Sequence, residues 1–137
     1  MIDVAYIALG SNLGDREQHL ARARHAIATL PTTRIVGESS IEETEPLGPI
    51  DQPKYLNQMI AIETALAPRE LLLHLHAIES SQGRVRRERW GPRTLDLDIV
   101  SFEHQVVDDS DLRVPHAELP NRTFWQRELG ELRSHDR

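Results

Sequence analysis

Leu95-Asp96-Leu97-Asp98-Ile99-Val100 alternates apolar and acidic side chains. On an extended strand residues i and i+2 face the same way, roughly 6–7 Å apart. Leu95, Leu97 and Ile99 then face a core, and Asp96 and Asp98 share the opposite face. Directly before this strand stands Arg84-Val85-Arg86-Arg87-Glu88-Arg89-Trp90-Gly91-Pro92-Arg93, with five arginines in ten residues. Paired carboxylates can hold Mg²⁺, which in turn bridges phosphate oxygens. Arginine forks hold phosphate bidentately. Together they describe a site for a magnesium-bound polyphosphate.

Each half of that pattern has a plainer reading. A bare Asp-x-Asp is most often the wet face of an amphipathic strand, and a run of arginines is most often a solvated loop. Asp is disfavoured in strands, so two beside an arginine segment shift the balance toward a metal. Trp90-Gly91-Pro92 is a costly insertion for a spacer and suggests a lid that closes over ligand. Arg84, Arg86 and Arg93 are the candidates for phosphate contact.

Composition narrows the alternatives. A chain of 137 residues fits one domain, 1–137, large enough to bury a real core. A formal charge of −6 argues against general nucleic-acid binding, which needs a broad basic face. Six aromatic residues and no RNP1-type motif argue against an RNA-binding module. There is no cysteine, which excludes disulfides and cysteine metal sites and fits a reducing compartment. No basic leader precedes the first apolar run, and no apolar run approaches the ~20 residues of a membrane helix. The expectation is a cytoplasmic monomer without membrane or nucleic-acid partners.

The order of elements gives the fold class. Val4–Leu9 reads as a buried strand, and Gly10-Ser11-Asn12-Leu13-Gly14 as a turn. Asp15 is a good helix N-cap, with Gln18 three residues on; Leu20, Ala23, Ile27 and Leu30 follow at helical spacing, and Pro31 stops the helix. Residues 33–43 read as a weaker strand, with Ile35 and Ile41 in phase, and 56–64 as a second. Pro68 opens the next helix, Leu71, Leu72, Leu75 and Ile78 form its apolar face, and Gly83 ends it. Strand 95–101 completes an α+β, ferredoxin-like βαββαβ core: an antiparallel sheet with helices on one face. Residues 104–122 hold a polar turn and a short helix, and the charged last segment is expected to fray. The connections 44–54 and 83–93 are longer than the fold needs, which marks them as functional or disordered.

Other candidate groups are weaker. Gly10–Gly14 follows a strand and precedes a helix, but it matches neither phosphate-loop pattern, so a tight turn is the better reading. His74 and His76 point nearly opposite ways on a helix. His116, after Val114-Pro115, is the histidine to watch, although a lone histidine is usually structural.

Five motifs occur in order: Gly10-Ser-Asn-Leu-Gly14; Pro46-Leu-Gly-Pro with Gln52-Pro and Tyr55-Leu-Asn57; Gly83-Arg-Val-Arg; Arg89-Trp-Gly-Pro-Arg-Thr-Leu-Asp-Leu-Asp98; and Val114-Pro-His116. Over residues 4–124 this resembles the 6-hydroxymethyl-7,8-dihydropterin pyrophosphokinases of folate biosynthesis. The resemblance implies transfer of pyrophosphate from Mg²⁺-ATP to the pterin hydroxymethyl group, leaving AMP. It implies that Asp96 and Asp98 bind two Mg²⁺ ions and that Arg84 and Arg93 hold phosphates at the catalytic centre. Glu79, Arg86, Trp90, His116 and Arg122 are implied on the ATP side. Thr44, Leu47, Tyr55, Asn57 and Phe124 are implied around the pterin, with Trp90 closing above.

Some positions depart from the family pattern. The arginine segment is one residue shorter than in enterobacterial relatives. Ala117 stands where an aromatic residue often follows the histidine, and Asp111 stands near where some members carry a basic residue. After Phe124 the usual hydrophobic-Pro-Leu ending becomes Trp125-Gln-Arg-Glu-Leu-Gly. These departures motivate an alternative, a weak or inactive paralogue that binds pterin or nucleotide.

Overall fold

The structure, a computed structural model, describes residues 1–46, 51–83 and 94–135. Nine residues from Asp3 to Ser11 form β1, and Arg16–Ala28 form α1. Asp15 caps α1 by accepting the Gln18 backbone N–H at 3.1 Å. Thr33–Glu38 (β2) and Glu42–Thr44 (β3) precede the long central strand Tyr55–Thr64 (β4). Pro68–Ser81 form α2, which ends at Gly83 with φ +84°, a left-handed conformation that glycine adopts without strain. Asp96–Phe102 form β5. A small hairpin of β6 (Val107–Asp108) and β7 (Arg113–Val114) and a 3₁₀ turn at Leu119–Asn121 lead to α3, Thr123–His135.

The main sheet runs β2-β4-β1-β5, with β3 pairing the start of β4, and every pairing is antiparallel. This is the ferredoxin-like order the sequence predicts. The expected strand over 33–43 is two strands. Ser39 interrupts it, donating its backbone N–H to Met59 O while its Oγ accepts Met59 N–H. Ile41 consequently stands 44% exposed instead of in phase with Ile35.

The sheet separates two apolar clusters. Ala5, Ile7, Leu9, Ile60, Ile62, Leu95, Leu97 and Ile99 face α1 and α2. Tyr6, Ala8, Met59, Ala61 and Val100 face Trp125, Leu129 and Leu132. So α1 and α2 lie on one face as expected, but the last segment does not fray: α3 covers the second face. Its apolar residues recur at i, i+4 and i+7, a helical stripe that the surrounding charge conceals. The cover is partial. The apolar residues of α3 pack over the Tyr6–Ala8 half of β1, not over its Gly10 end.

Candidate active site

The Gly10 end of the second face gathers most of the predicted residues that the structure describes. Cross-strand partners point to the same side of a sheet, and register aligns Asp96 with Gly10, Gly10 with Asn57, and Asn57 with Glu42. Asp98 lies opposite Ala8 on the same face. Thr44 lies opposite Tyr55, one step from Asn57. Asp96 and Asn57 are thus two strands apart, about 10 Å. Gly10 between them has no side chain for a reason: an added Cβ would stand 3.2 Å from Asn57 Oδ1 and 3.4 Å from Tyr55 Cδ1.

Asp96 and Asp98 are half-buried on β5, while Leu95, Leu97 and Ile99 are in the core, as the alternation predicts. Because β5 is an edge strand, its outer backbone donors lack a sheet partner. Glu79 of α2, 3% exposed, accepts the Leu97 N–H on Oε2 at 2.8 Å. The two aspartates, Glu79 and His76 from α2, and Asp111, Arg113 and His116 from the following segment line a cavity of about 350 Å³.

The backbone after β5 holds His116 in place. Its own N–H donates to Val100 O at 2.8 Å, and its Nδ1 accepts the Glu118 N–H at 3.0 Å. An accepting Nδ1 puts the ring proton on Nε2, which stands 3.7 Å from Asp98 Oδ1. Trp125 packs edge-on against the ring at 4.9 Å. The Arg122 guanidinium stacks on the same indole at 4.3 Å. Phe124 is partly buried beside Trp125 at the start of α3.

On the other side of Gly10, Asn57 is 7% exposed and donates its amide to Thr44 Oγ1. The expected turn over Gly10–Gly14 is shorter: Gly10 and Ser11 extend β1, and only the residues after them turn and act as a structural support. Buried Asn12 donates to Gln52 Oε1 at 2.7 Å and Pro53 O at 2.9 Å, tying residues 51–54 to β1. Arg16 adds a bond to Lys54 O at 2.9 Å.

Asp96, Asp98, Glu79 and His116 therefore come together around one cavity, and Thr44, Tyr55 and Asn57 form a second group on the same sheet face. Arg122 and Phe124 sit at the entry to α3. Leu47, Arg84, Arg86, Trp90 and Arg93 lie outside the described residues. Sequence reading missed His76, Asp111 and Arg113 in the cavity wall. Asp111 is held by Arg69 Nη1 at 2.8 Å, and Asp109 by Nη2 at 2.5 Å, which fastens the β6–β7 hairpin to α2. No local signal marks these residues, because α2 and the hairpin meet only in the fold.

Comparison with known proteins gives the family. The family model for 7,8-dihydro-6-hydroxymethylpterin-pyrophosphokinase matches residues 6–134. A 2-amino-4-hydroxy-6-hydroxymethyldihydropteridine pyrophosphokinase of Pseudomonas aeruginosa is 48% identical over 132 residues, covering 96% of this chain and 82% of the relative. The protein of that name from Bacillus subtilis is 44% identical over 135 residues, covering 96% and 79%. One from Pseudomonas putida is 50% identical over 115 residues, covering 84% and 95%. Among solved structures, an HPPK-DHPS crystal structure in complex with substrates superposes with a TM-score of 0.65 at 12% identity, over 91% of this chain and 39% of that one; this is a likeness of fold. With a family match across nearly its whole length, the chain belongs to the 7,8-dihydro-6-hydroxymethylpterin-pyrophosphokinase family.

Proposed function

We propose that Asp96, Asp98 and the cavity beside them carry pyrophosphate transfer from Mg²⁺-ATP to the hydroxymethyl group of 6-hydroxymethyl-7,8-dihydropterin. The hydroxymethyl oxygen bonds to the β-phosphorus as that phosphorus releases the bridging oxygen to AMP. The observation that carries this reading is the row Asp96–Gly10–Asn57. It supports the reading because the Asp96 carboxylate and the buried Asn57 amide share one sheet face about 10 Å apart, across a glycine that contributes no side chain of its own.

Among the described residues no group of three or more His, Cys, Asp or Glu is arranged to hold a metal. Two adjacent carboxylates nevertheless suit Mg²⁺, which takes one or two from the protein and fills its other positions with water and substrate phosphates. Bound there, Mg²⁺ neutralises phosphate charge and aligns the transferring group. We assign two ions to Asp96 and Asp98. The protein contributes alignment and charge more than covalent chemistry.

On the ATP side we place Arg84, Arg86 and Arg93 on the phosphates, with Trp90 and Arg122 nearby. His116 offers Nε2–H to a phosphate oxygen. Glu79 is committed to Leu97 N–H, so its contribution is to hold β5, and with it both aspartates, in place. On the pterin side Asn57 gives both a donor and an acceptor to the ring edge. Tyr55, Phe124 and Trp90 supply aromatic faces, and Thr44 and Leu47 complete the wall. In this reading the active unit is a monomer. No helix among the described residues is long and apolar enough to cross a membrane, and the absence of cysteine supports a cytoplasmic setting.

The test is AMP formation from ATP and Mg²⁺, with and without the pterin. AMP should appear only when the pterin is present. Asp96→Ala and Asp98→Ala should each lower the rate by more than about 100-fold while far-UV circular dichroism stays that of the parent. Full activity in either variant would remove the assigned metal site. Pterin-dependent AMP from the parent excludes the non-transferring alternative.

A further inference from the structure

Glu128 of α3 is a charged residue where a helix meets a sheet. It is 2% exposed, and neither carboxyl oxygen has a donor among the described residues. It faces Glu42 of β3, whose Oε1 is likewise buried without a donor, while Glu42 Oε2 takes Arg127 Nη2 at 3.1 Å. Two ionised carboxylates in dry contact repel and are poorly solvated, whereas one proton between them turns the contact into a hydrogen bond. Burial foremost, and then the bond to Glu42, push the Glu128 carboxyl up to about 9. Among the described residues the other charged groups that act on it are on α3 itself: Arg127 lowers it and Glu131 raises it. From β4 the nearby second-face residues are Asn57 and Met59, both uncharged. Glu38 of β2 is turned to Arg24 at 3.7 Å.

The place of this pair in the sheet gives it a use. Glu42 is the direct cross-strand partner of Asn57, and Thr44, two residues on, accepts the Asn57 amide. β3 is only three residues long and pairs on one side only, so its own ladder holds it weakly. From α3, Glu131 also grips the neighbouring Ser40, accepting its N–H at 2.8 Å.

We infer that Glu128 is a positioning residue for the pterin pocket: its hydrogen bond to Glu42 holds β3 where Thr44 and Asn57 meet the heterocycle. The inference rests on the reading of Thr44 and Asn57 as pterin residues. Glu128 touches neither substrate and acts through Glu42.

Steady-state kinetics of the full chain with Glu128→Gln, Glu128→Ala and Asn57→Ala test it, each at several pH values from about 7 to about 10. The Gln amide keeps a donor and does not titrate. Glu128→Gln should keep the parent's pterin KM near neutrality and hold it level to alkaline pH. In the parent the pterin KM should rise relative to Glu128→Gln as the pair ionises. Glu128→Ala should raise the pterin KM by roughly three- to tenfold near neutrality, with kcat and the ATP KM within about twofold. Identical pH courses for the parent and Glu128→Gln would overturn the inference. So would a Glu128→Ala variant that leaves the pterin KM unchanged or shifts all three parameters alike. Asn57→Ala separates the two readings. If it raises the pterin KM while the Glu128 variants do not, only the positioning role fails; if it leaves that KM unchanged, the pocket assignment fails and this inference with it.

Discussion

Two buried carboxyls show how the same residue type acquires opposite pH behaviour from its surroundings. Burial pushes the Asp3 carboxyl up, but hydrogen bonds from His104, Gln105 and the backbone N–H groups of Val4 and His104 outweigh it, and its pKa falls below 3.8. Its stabilisation is present above that ordinary value and is lost as pH drops through the lowered one. Glu128 has no such donors. The unfolded chain releases the Glu128 proton near 4.5, whereas the folded chain keeps it to about 9. The stability linked to this proton is whole below the first value, declines as pH rises between the two, and is level above the second. Glu128→Gln removes the titration. Calorimetry across this window should therefore find the parent's Tm falling relative to that of Glu128→Gln as pH rises. Parallel curves would show that Glu128 is ionised in the folded chain.

At the scale of elements, α3 decides which part of the sheet can be a site. It buries Trp125, Leu129 and Leu132 on Tyr6, Ala8, Met59, Ala61 and Val100, and its first turn packs Phe124 against that cluster. β5 fits this division through a register shift opposite Tyr6 and Ile7. The shift lets Val100 join the α3 side while Phe102 returns to the α1–α2 side. If α3 is part of the core, then Leu132→Ala should cost about 2–5 kcal/mol, the range for emptying a buried leucine site. Leu73→Ala on α2, where the side chain is 67% exposed, should stay within about 0.5 kcal/mol. Urea unfolding of the two variants gives the comparison. A Leu132→Ala midpoint equal to the parent's would return the last segment to the frayed state its charge suggests.

Across the whole molecule, the site lies where four chain segments end together. The end of β1, the starts of β4 and β5, and the end of β3 all reach the Gly10 end of the second face, and α2 and the β6–β7 hairpin wall the outer side of β5. A ligand held by so many separate segments binds the folded chain and not the unfolded one. Mg²⁺-ATP at about a hundred times its Kd should then add about 2.7 kcal/mol of stability. Thermal unfolding should show a raised Tm with Mg²⁺-ATP, its loss on adding a chelator, and a smaller rise in Asp98→Ala. A chelator-insensitive shift would mean that nucleotide binds without the carboxylate pair.

Much of this protein was legible from local pattern. Period-two and helical spacings depend only on near neighbours, so β1, α1, β4, α2 and β5, the Asp15 cap and the Gly83 stop could be read directly, as could the shared face of Asp96 and Asp98. The motif resemblance proposed Thr44, Tyr55 and Asn57 for the pterin, and strand register sets these three side by side on one sheet face. What the fold alone decided was long-range. α3 is charged on average, and only the presence of an apolar sheet face gives its Trp125–Leu129–Leu132 stripe something to bury. The row Asp96–Gly10–Asn57–Glu42 joins residues from four strands whose register is set by tertiary pairing. Glu128 illustrates the limit most plainly: in the sequence it is one more acidic residue, and its meeting with Glu42, 86 positions away by numbering (128 − 42), exists only once α3 docks on β3. Chain-local forces write periodicity into the sequence, but a site made of distant residues depends on which surfaces the folded chain has left to cover.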